Sequence, residues 1–330
     1  MSTLEENVTK VENAFAAIKT ALTGKGVTIP SDAKLSDVPT LVDDISTTGT
    51  PALCTFELTY TDGTKVVETT SEGVVELNSR YYDRSLAKSI AVTFDSSAVF
   101  GTNASYMFYA CKALISLKLP YGFGAGVTAV NSMFSDCSSL VSLTLPEGFG
   151  AGVTSTYYMF SDCSSLVSLT LPEGFGDNVT DARSMFTNCY KLASLTLPEG
   201  FGAGVTNASY MFRYCYKLAS LTLPEGFGAG VTNASYMFYA CNALAQILAP
   251  KGVTLEDDGS NGILRMKVSF DLSPTALDKD SLIRVIKSLQ TVTSAKLTLG
   301  TTLLAKLQGD DNAEGAAALA LAASKGWTIA

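Results

Sequence analysis

Apolar positions along this chain follow three different rhythms. Near the start, Leu4, Val8, Val11, Phe15, Ile18 and Leu22 alternate in steps of four and three, the a/d seam of a coiled coil held over nearly three heptads. Two arrangements would cover such a seam: a helix from another copy, or the shorter helical stretch Ser36–Ile45 folding back after the break at Pro30. Beyond a linker at Thr47–Pro51 the period falls to two. Cys54–Tyr60, Lys65–Thr70 and Gly73–Leu77 read as short antiparallel strands, with Asp62-Gly63 as the hairpin turn. Ile90, Val92 and Phe94 alternate as a further strand, expected to start the long-period region that follows.

That third rhythm is the decisive one. The dipeptide Met-Phe recurs at Met107, Met133, Met159, Met185, Met211 and Met237, always 26 residues apart, and Cys111, Cys137, Cys163, Cys189, Cys215 and Cys241 keep the same step. Each copy reads MFxxCxxLxxLxLPxGFGxxVT, decaying in the sixth copy to Ile247, Ala249 and Val253. A fixed period of roughly 20–29 residues carrying LxxLxL predicts an α/β solenoid of the leucine-rich-repeat class, with 26-residue coils and a parallel sheet on one face. Taking Val141–Leu145 as the strand of one coil, Leu143 and Leu145 point inward and Ser142 and Thr144 outward. Pro146 ends the pairing, Gly148, Gly150 and Gly152 allow the sharp path behind it, and Phe149 and Val153 fill the interior. The segment Thr154–Phe160 is too short for a full helix and is expected to make one helical or 3₁₀ turn.

A solenoid buries each coil only against its neighbours, so its ends need caps. In the C-terminal region Lys267–Leu272 and Lys296–Leu299 alternate as strands, Ser281–Leu289 and Asn312–Lys325 are helical in pattern, and Trp327–Ala330 supplies a last strand. These strand-helix units are expected to continue the parallel sheet, with Trp327 over its end. The chain accordingly divides into an N-terminal helical segment for attachment or oligomerisation (1–50), a small antiparallel β region and N-terminal cap (51–98), the six-copy solenoid (99–254) and the C-terminal strand-helix cap (255–330).

Composition narrows the chemistry. The 330 residues include no histidine, which removes Ser-His-Asp and Cys-His nucleophiles, HExxH zinc sites and any imidazole switch. A net charge of −8 argues against a phosphate-backbone partner, so no nucleic acid is expected. No apolar run approaches the length of a membrane span, and Met1–Lys10 lacks the pattern of a secretory signal, so synthesis in a cytoplasm without membrane insertion is expected. The repeated Gly-Phe-Gly-Ala-Gly, as at Gly148–Gly152, lacks the spacing, long helix and acidic partner of a dinucleotide loop and reads as a turn. One cysteine per coil forms no CxxC pair, and the column reads as buried reduced thiols. Asp257–Gly262 begins like a calcium loop, but Val268 stands where an EF-hand needs Glu, and it reads as a plain loop. Neither metal nor cofactor is expected, and no enzymatic activity.

What remains are surfaces. Ser116, Ser142, Ser168, Ser194 and Ser220 form one outward column, flanked by Lys118, Thr144, Thr170, Thr196 and Thr222. Such a hydroxyl ladder suits a glycan or repeating polymer, and equally suits an ordinary exposed strand. Glu147, Glu173, Glu199 and Glu225 form a like-charge column that solvent screens. The most variable positions flank the cysteine and are rich in tyrosine: Tyr109, Tyr190, Tyr214, Tyr216 and Tyr239, with Tyr106, Tyr158, Tyr210 and Tyr236 preceding Met-Phe. With 11 of 14 tyrosines between Phe100 and Pro250, a recognition surface and a covering of the coil rim are both open readings. The candidate ligand contacts are therefore Tyr109, Tyr190, Tyr214, Tyr216 and Tyr239 together with Ser142, Thr144, Ser168, Thr170, Ser194 and Thr196.

The run VTNASYMFYACNALAQI, Val231–Ile247, and its sister copies resemble the BspA-like leucine-rich repeat family of bacterial surface proteins. The ends resemble those of bacteriophage and prophage tail-fibre proteins: Lys25–Pro30 and Lys34–Asp37 after the first helix, then LTLGTTLLAKL (Leu297–Leu307) and LAASKGWTI (Leu321–Ile329). The first resemblance implies adhesion to a host or bacterial surface glycan or protein and brings no catalytic residue. The second implies a virion tail protein, receptor-binding or accessory, joined to other tail proteins through its N-terminal segment and open to homo-oligomerisation. A cell-surface adhesin is the alternative.

Overall fold

The computed structural model describes residues 54–70, 74–75, 84–94, 98–249, 264–308 and 312–330, all within the unit Cys54–Ala330. The heptad positions Leu4 to Leu22, the stretch Ser36–Ile45 and the loop Asp257–Gly262 lie outside the described residues.

The strands β1 (Cys54–Tyr60), β2 (Lys65–Thr70), β3 (Val74–Val75), β4 (Ala87–Phe94) and β5 (Val99–Phe100) precede the array. Asp62-Gly63 makes the hairpin turn between β1 and β2. Tyr60 and Gly63 close it through backbone hydrogen bonds, and the Asp62 carboxylate accepts from the Thr64 amide at 2.9 Å. Both β2 and β4 pair antiparallel with β1, as their alternation implies. The third predicted strand behaves differently: Val74–Val75 pairs in parallel with β5, because it joins the start of the array rather than the hairpin.

Each coil then contributes one three-residue strand: β6 (Ser116–Lys118), β7 (Ser142–Thr144), β8 (Ser168–Thr170), β9 (Ser194–Thr196), β10 (Ser220–Thr222) and β11 (Gln246–Leu248). They pair in parallel and in register, Leu169 beside Leu195 beside Leu221, and β6 continues in parallel onto β4. The result is one nine-stranded sheet in the order β11-β10-β9-β8-β7-β6-β4-β1-β2, capped at its N-terminal end by the hairpin. Identical side chains consequently stack in columns. The rings of Phe108, Phe134, Phe160, Phe186, Phe212 and Phe238 stack nearly parallel, 5.3–5.8 Å between centroids, and all are buried. Each such side chain contributes about 1.5–3 kcal/mol by leaving water.

The cysteine column is all free thiol and all buried. From the second coil onward each thiol donates to the carbonyl of the preceding coil's phenylalanine, Cys163 to Phe134 and Cys189 to Phe160 at 3.2 Å. Burial pushes these thiols upward, Cys241 to about 12 and Cys163, Cys189 and Cys215 well above the ordinary value, so they stay protonated. Cysteine here combines a small apolar volume with a weak donor that bridges coils. Threonine does similar work on the next column, where Thr180, Thr206 and Thr232 hydroxyls donate to the threonine carbonyl one coil earlier.

The expected helical turn at Thr154–Phe160 is absent. Amides there alternate between two partners: Thr156, Tyr158, Phe160 and Asp162 donate to carbonyls of the next coil, while Met159, Ser161 and Cys163 close tight turns three residues back. Amides committed to the neighbouring coil are lost to an i−4 helix ladder. Isolated parallel bridges from Asn103 through Ser155 to Asn233 add a second hydrogen-bonded column.

The C-terminal strands do not extend the solenoid sheet. β12 (Phe270–Asp271), β13 (Ala295–Thr298) and β14 (Trp327–Ile329) form a separate parallel sheet, interleaved with α1 (Lys279–Ser288), α2 (Gly300–Leu307) and α3 (Ala313–Ser324). The helix α2 had no counterpart in the sequence reading. Among the described residues, the outer edge of β11 meets side-chain and loop partners instead of a strand: the Ile247 amide donates to Ser281 Oγ at 3.2 Å, and Ala276 and Asp278 amides donate to Leu244 and Ala245 carbonyls. Asp278 caps α1 by accepting from the Ser281 amide at 2.7 Å, which fixes Ser281 against β11. Trp327 covers the second sheet, edge-on to Phe270, with Nε1 donating to Gln290 O at 2.8 Å.

Candidate ligand-binding face

The turn segment that replaces the helix sets the direction of the tyrosines. In every coil the residue before Met-Phe and the residue before Cys hold a left-handed backbone: Tyr106, Ser132, Tyr158, Ser184, Tyr210 and Tyr236 at φ 53–62°, and Ala110, Asp136, Asp162, Asn188, Tyr214 and Ala240 at φ 56–63°. A left-handed non-glycine residue costs about 1–2 kcal/mol. The neighbouring coils hold it there, since amides such as Tyr210 N and Tyr214 N donate to Ser235 and Tyr239 carbonyls.

Stacking at this offset brings six tyrosines into one continuous cluster over the last three coils. Tyr190 stacks on Tyr216 at 5.4 Å, Tyr216 touches Tyr214 at 5.6 Å, and Tyr214 meets Tyr239 edge-on at 5.5 Å. Tyr239 meets Tyr236 edge-on at 5.8 Å, and Tyr236 stacks on Tyr210 at 5.2 Å. The Arg213 guanidinium lies over Tyr214, Tyr210 and Tyr239, at 4.3, 5.5 and 5.8 Å, and Nη2 donates to the Tyr214 hydroxyl at 3.0 Å. Tyr190, Tyr210, Tyr216, Tyr236 and Tyr239 are exposed despite these contacts. Burial, then the nearby charge of Asp162, pushes the Tyr190 hydroxyl upward. Rings held by one another lose little freedom when a ligand lies on them, so the face is prepared for binding.

The repeats have counterparts among known sequences. Residues 131–259 match the BspA type leucine rich repeat region, in six copies. That span of the solenoid is similar to BspA-type repeats. A solved leucine-rich repeat protein from Bacteroides ovatus is similar over 76% of this chain and 94% of its own length, at 15% identity and a TM-score of 0.21. No curated protein matches.

On this repeat scaffold the predicted contacts divide into three places. Tyr190, Tyr214, Tyr216 and Tyr239 belong to the cluster, whereas Tyr109 sits in the first coil and meets Tyr106 edge-on at 5.9 Å. Ser142, Thr144, Ser168, Thr170, Ser194 and Thr196 are exposed and in register on the strands, a surface apart from the tyrosine turns. Arg213, Tyr210 and Tyr236 are additional members of the cluster; Arg213 stands where the other copies carry Tyr109, Ser135, Ser161, Thr187 and Tyr239. A smaller arrangement recurs in the middle of the array, where Arg183 lies over Tyr157 at 4.6 Å and pairs with Asp181 at 2.7 Å. Among the described residues, no group of three or more Cys, Asp or Glu is placed to hold a metal ion, and no helix is long and apolar enough to cross a membrane.

Proposed function

We propose that this chain is a non-catalytic binding protein that recognises a glycan or protein on a bacterial surface through the tyrosine-arginine face of its BspA-type repeats. The observation that carries the reading is the unbroken ring contact from Tyr190 to Tyr210 around Arg213, since tyrosine and arginine are enriched where interfaces concentrate their energy. The resemblance of Lys25–Pro30 and Leu297–Leu307 to tail-fibre ends supports a receptor-binding or accessory role in a phage or prophage tail, with the N-terminal segment bound to other tail proteins or to further copies. The repeat match over 131–259 favours a second reading, a bacterial cell-surface adhesin.

Two measurements test this. Labelled full-length chain is expected to bind intact bacterial cells saturably, and failure to bind any cell-envelope preparation would overturn the binding role. Mass spectrometry of purified particles released by lysis is expected to find the chain; its presence in the cell-envelope fraction and absence from particles would select the adhesin.

A further inference from the structure

Where the last coil meets the C-terminal sheet, the surface opens into a groove of about 360 Å³. Its volume is at the small end of ligand pockets, which run from about 300 to 1,000 Å³. One wall is aromatic: Tyr236 and Tyr239 stand edge to face, interplanar angle 75°, and form a corner that is 56% and 43% exposed. Pro274 extends the apolar lining from the cap side. The remaining lining is mostly polar. It carries the Asp271 carboxylate, the Lys296 ammonium and the Thr298 hydroxyl, contributed by the adjacent strands β12 and β13. Asp271 is oriented by accepting the Ser273 amide at 2.8 Å, and the Lys296 backbone is pinned through Ser269 Oγ at 2.8 Å. Among the described residues neither charge is used in an ion pair.

We propose that this groove binds a neutral hexopyranose unit of a surface polysaccharide. The C–H face of a pyranose is apolar and packs on an aromatic wall, while its ring hydroxyls each donate and accept at once. A rim with one carboxylate, one ammonium and a hydroxyl offers acceptors and donors to such hydroxyls, and its charges cancel, so an ionic headgroup gains nothing there. Tyr239 belongs both to the groove and to the cluster, so a longer saccharide seated here would run on over Tyr214, Tyr216 and Tyr190. This site deepens the surface-binding reading and rests on it.

The test uses the full chain and saturation-transfer NMR with a panel of methyl α-glucopyranoside, methyl β-galactopyranoside, methyl α-mannopyranoside and N-acetylglucosamine, beside polysaccharide extracted from bacterial envelopes. At least one of these monosaccharides is expected to bind, and Tyr239→Ala, Asp271→Asn and Lys296→Gln are each expected to weaken it about tenfold or more. Lys65→Gln, on the N-terminal hairpin, is expected to leave binding unchanged. Far-UV circular dichroism verifies that each variant is folded. If none of these monosaccharides binds while the chain still binds the envelope extract, the groove assignment is overturned and the surface-binding role stands. Binding of neither overturns both. If a library of short peptides binds instead, and the same three substitutions abolish it, the saccharide class is wrong.

Discussion

Gly176 tests the stacking of coils most sharply. It sits at φ +86°, and a Cβ built on it would overlap the Phe201 ring of the next coil, well inside van der Waals contact. Gly148 is the contrasting case, at φ +75° with nothing within 4 Å of a Cβ. Gly148→Ala therefore measures backbone strain alone, about 1–2 kcal/mol. Gly176→Ala adds the displacement of a fully buried phenylalanine in a close-packed column, a further 1–3 kcal/mol or about 2–5 kcal/mol in total. Urea unfolding followed by far-UV circular dichroism would read both, and the Gly176 variant is expected to unfold at clearly lower urea. In a Phe201→Leu background, where the side chain is smaller and can turn away, the Gly176→Ala cost is expected to approach that of Gly148→Ala. Equal losses for the two alanine variants, or no coupling to Phe201, would refute the coil-on-coil packing described above.

Other expectations concern the core, the thiols and the N-terminal segment. Leu169→Asp, at a position 6% exposed inside β8, is expected to cost about 3–5 kcal/mol in the same assay; unchanged stability would remove the inward assignment of the strand leucines. The array thiols should resist alkylation in the folded protein at neutral pH and react only on unfolding, and mass spectrometry without reductant should find no Cys163–Cys189 disulfide. Because folding raises these thiols above their ordinary value of 9.0, the folded state holds protons that the unfolded state releases. Their contribution is therefore whole below about pH 9 and is lost above it, by about 1.4 kcal/mol per pH unit for each thiol. Cys189→Ala should flatten the alkaline stability curve by one such increment, and an unchanged slope would contradict the buried column. Light scattering is expected to show self-association of the full chain and its loss in a chain beginning at Pro51; monomers in both at micromolar concentration would reject the role given to Leu4, Val8, Val11, Phe15, Ile18 and Leu22.

The solenoid was legible in the sequence because a 26-residue repeat states the orientation of every side chain six times over. Leu143 and Leu145 inward, Ser142 and Thr144 outward and Phe149 inside all follow from one coil's spacing, and all are found. The spacing of Met159, Phe160 and Cys163 was less informative, since it fits a helical turn and a string of tight turns equally; the choice lies in amides that bond one coil onward. The cap was legible as strands and helices but not as a separate sheet. Its separation depends on Ser281 and Asp278 reaching β11, contacts that leave no periodic trace. At the candidate face, the residue type was readable and the grouping was not. Tyr109 and Tyr239 occupy the same place in their coils, yet only Tyr239 joins the cluster, because Arg213 and Tyr214 one coil away reach it. Asp271 and Lys296 come from strands whose proximity to Tyr239 only the folded cap reveals.

Equilibrium binding of the full chain to bacterial cells or their extracted envelope, compared across two sets of folded variants, tests the central claim most directly. Tyr190→Ala, Tyr214→Ala and Tyr216→Ala remove rings from the turn face, and each is expected to weaken binding about tenfold or more. Thr170→Arg places a bulky charge on the exposed strand face and is expected to leave affinity unchanged. If Thr170→Arg abolishes binding while the tyrosine variants bind as the unaltered chain does, the ligand lies on the hydroxyl ladder and the account of the tyrosine-arginine face is wrong.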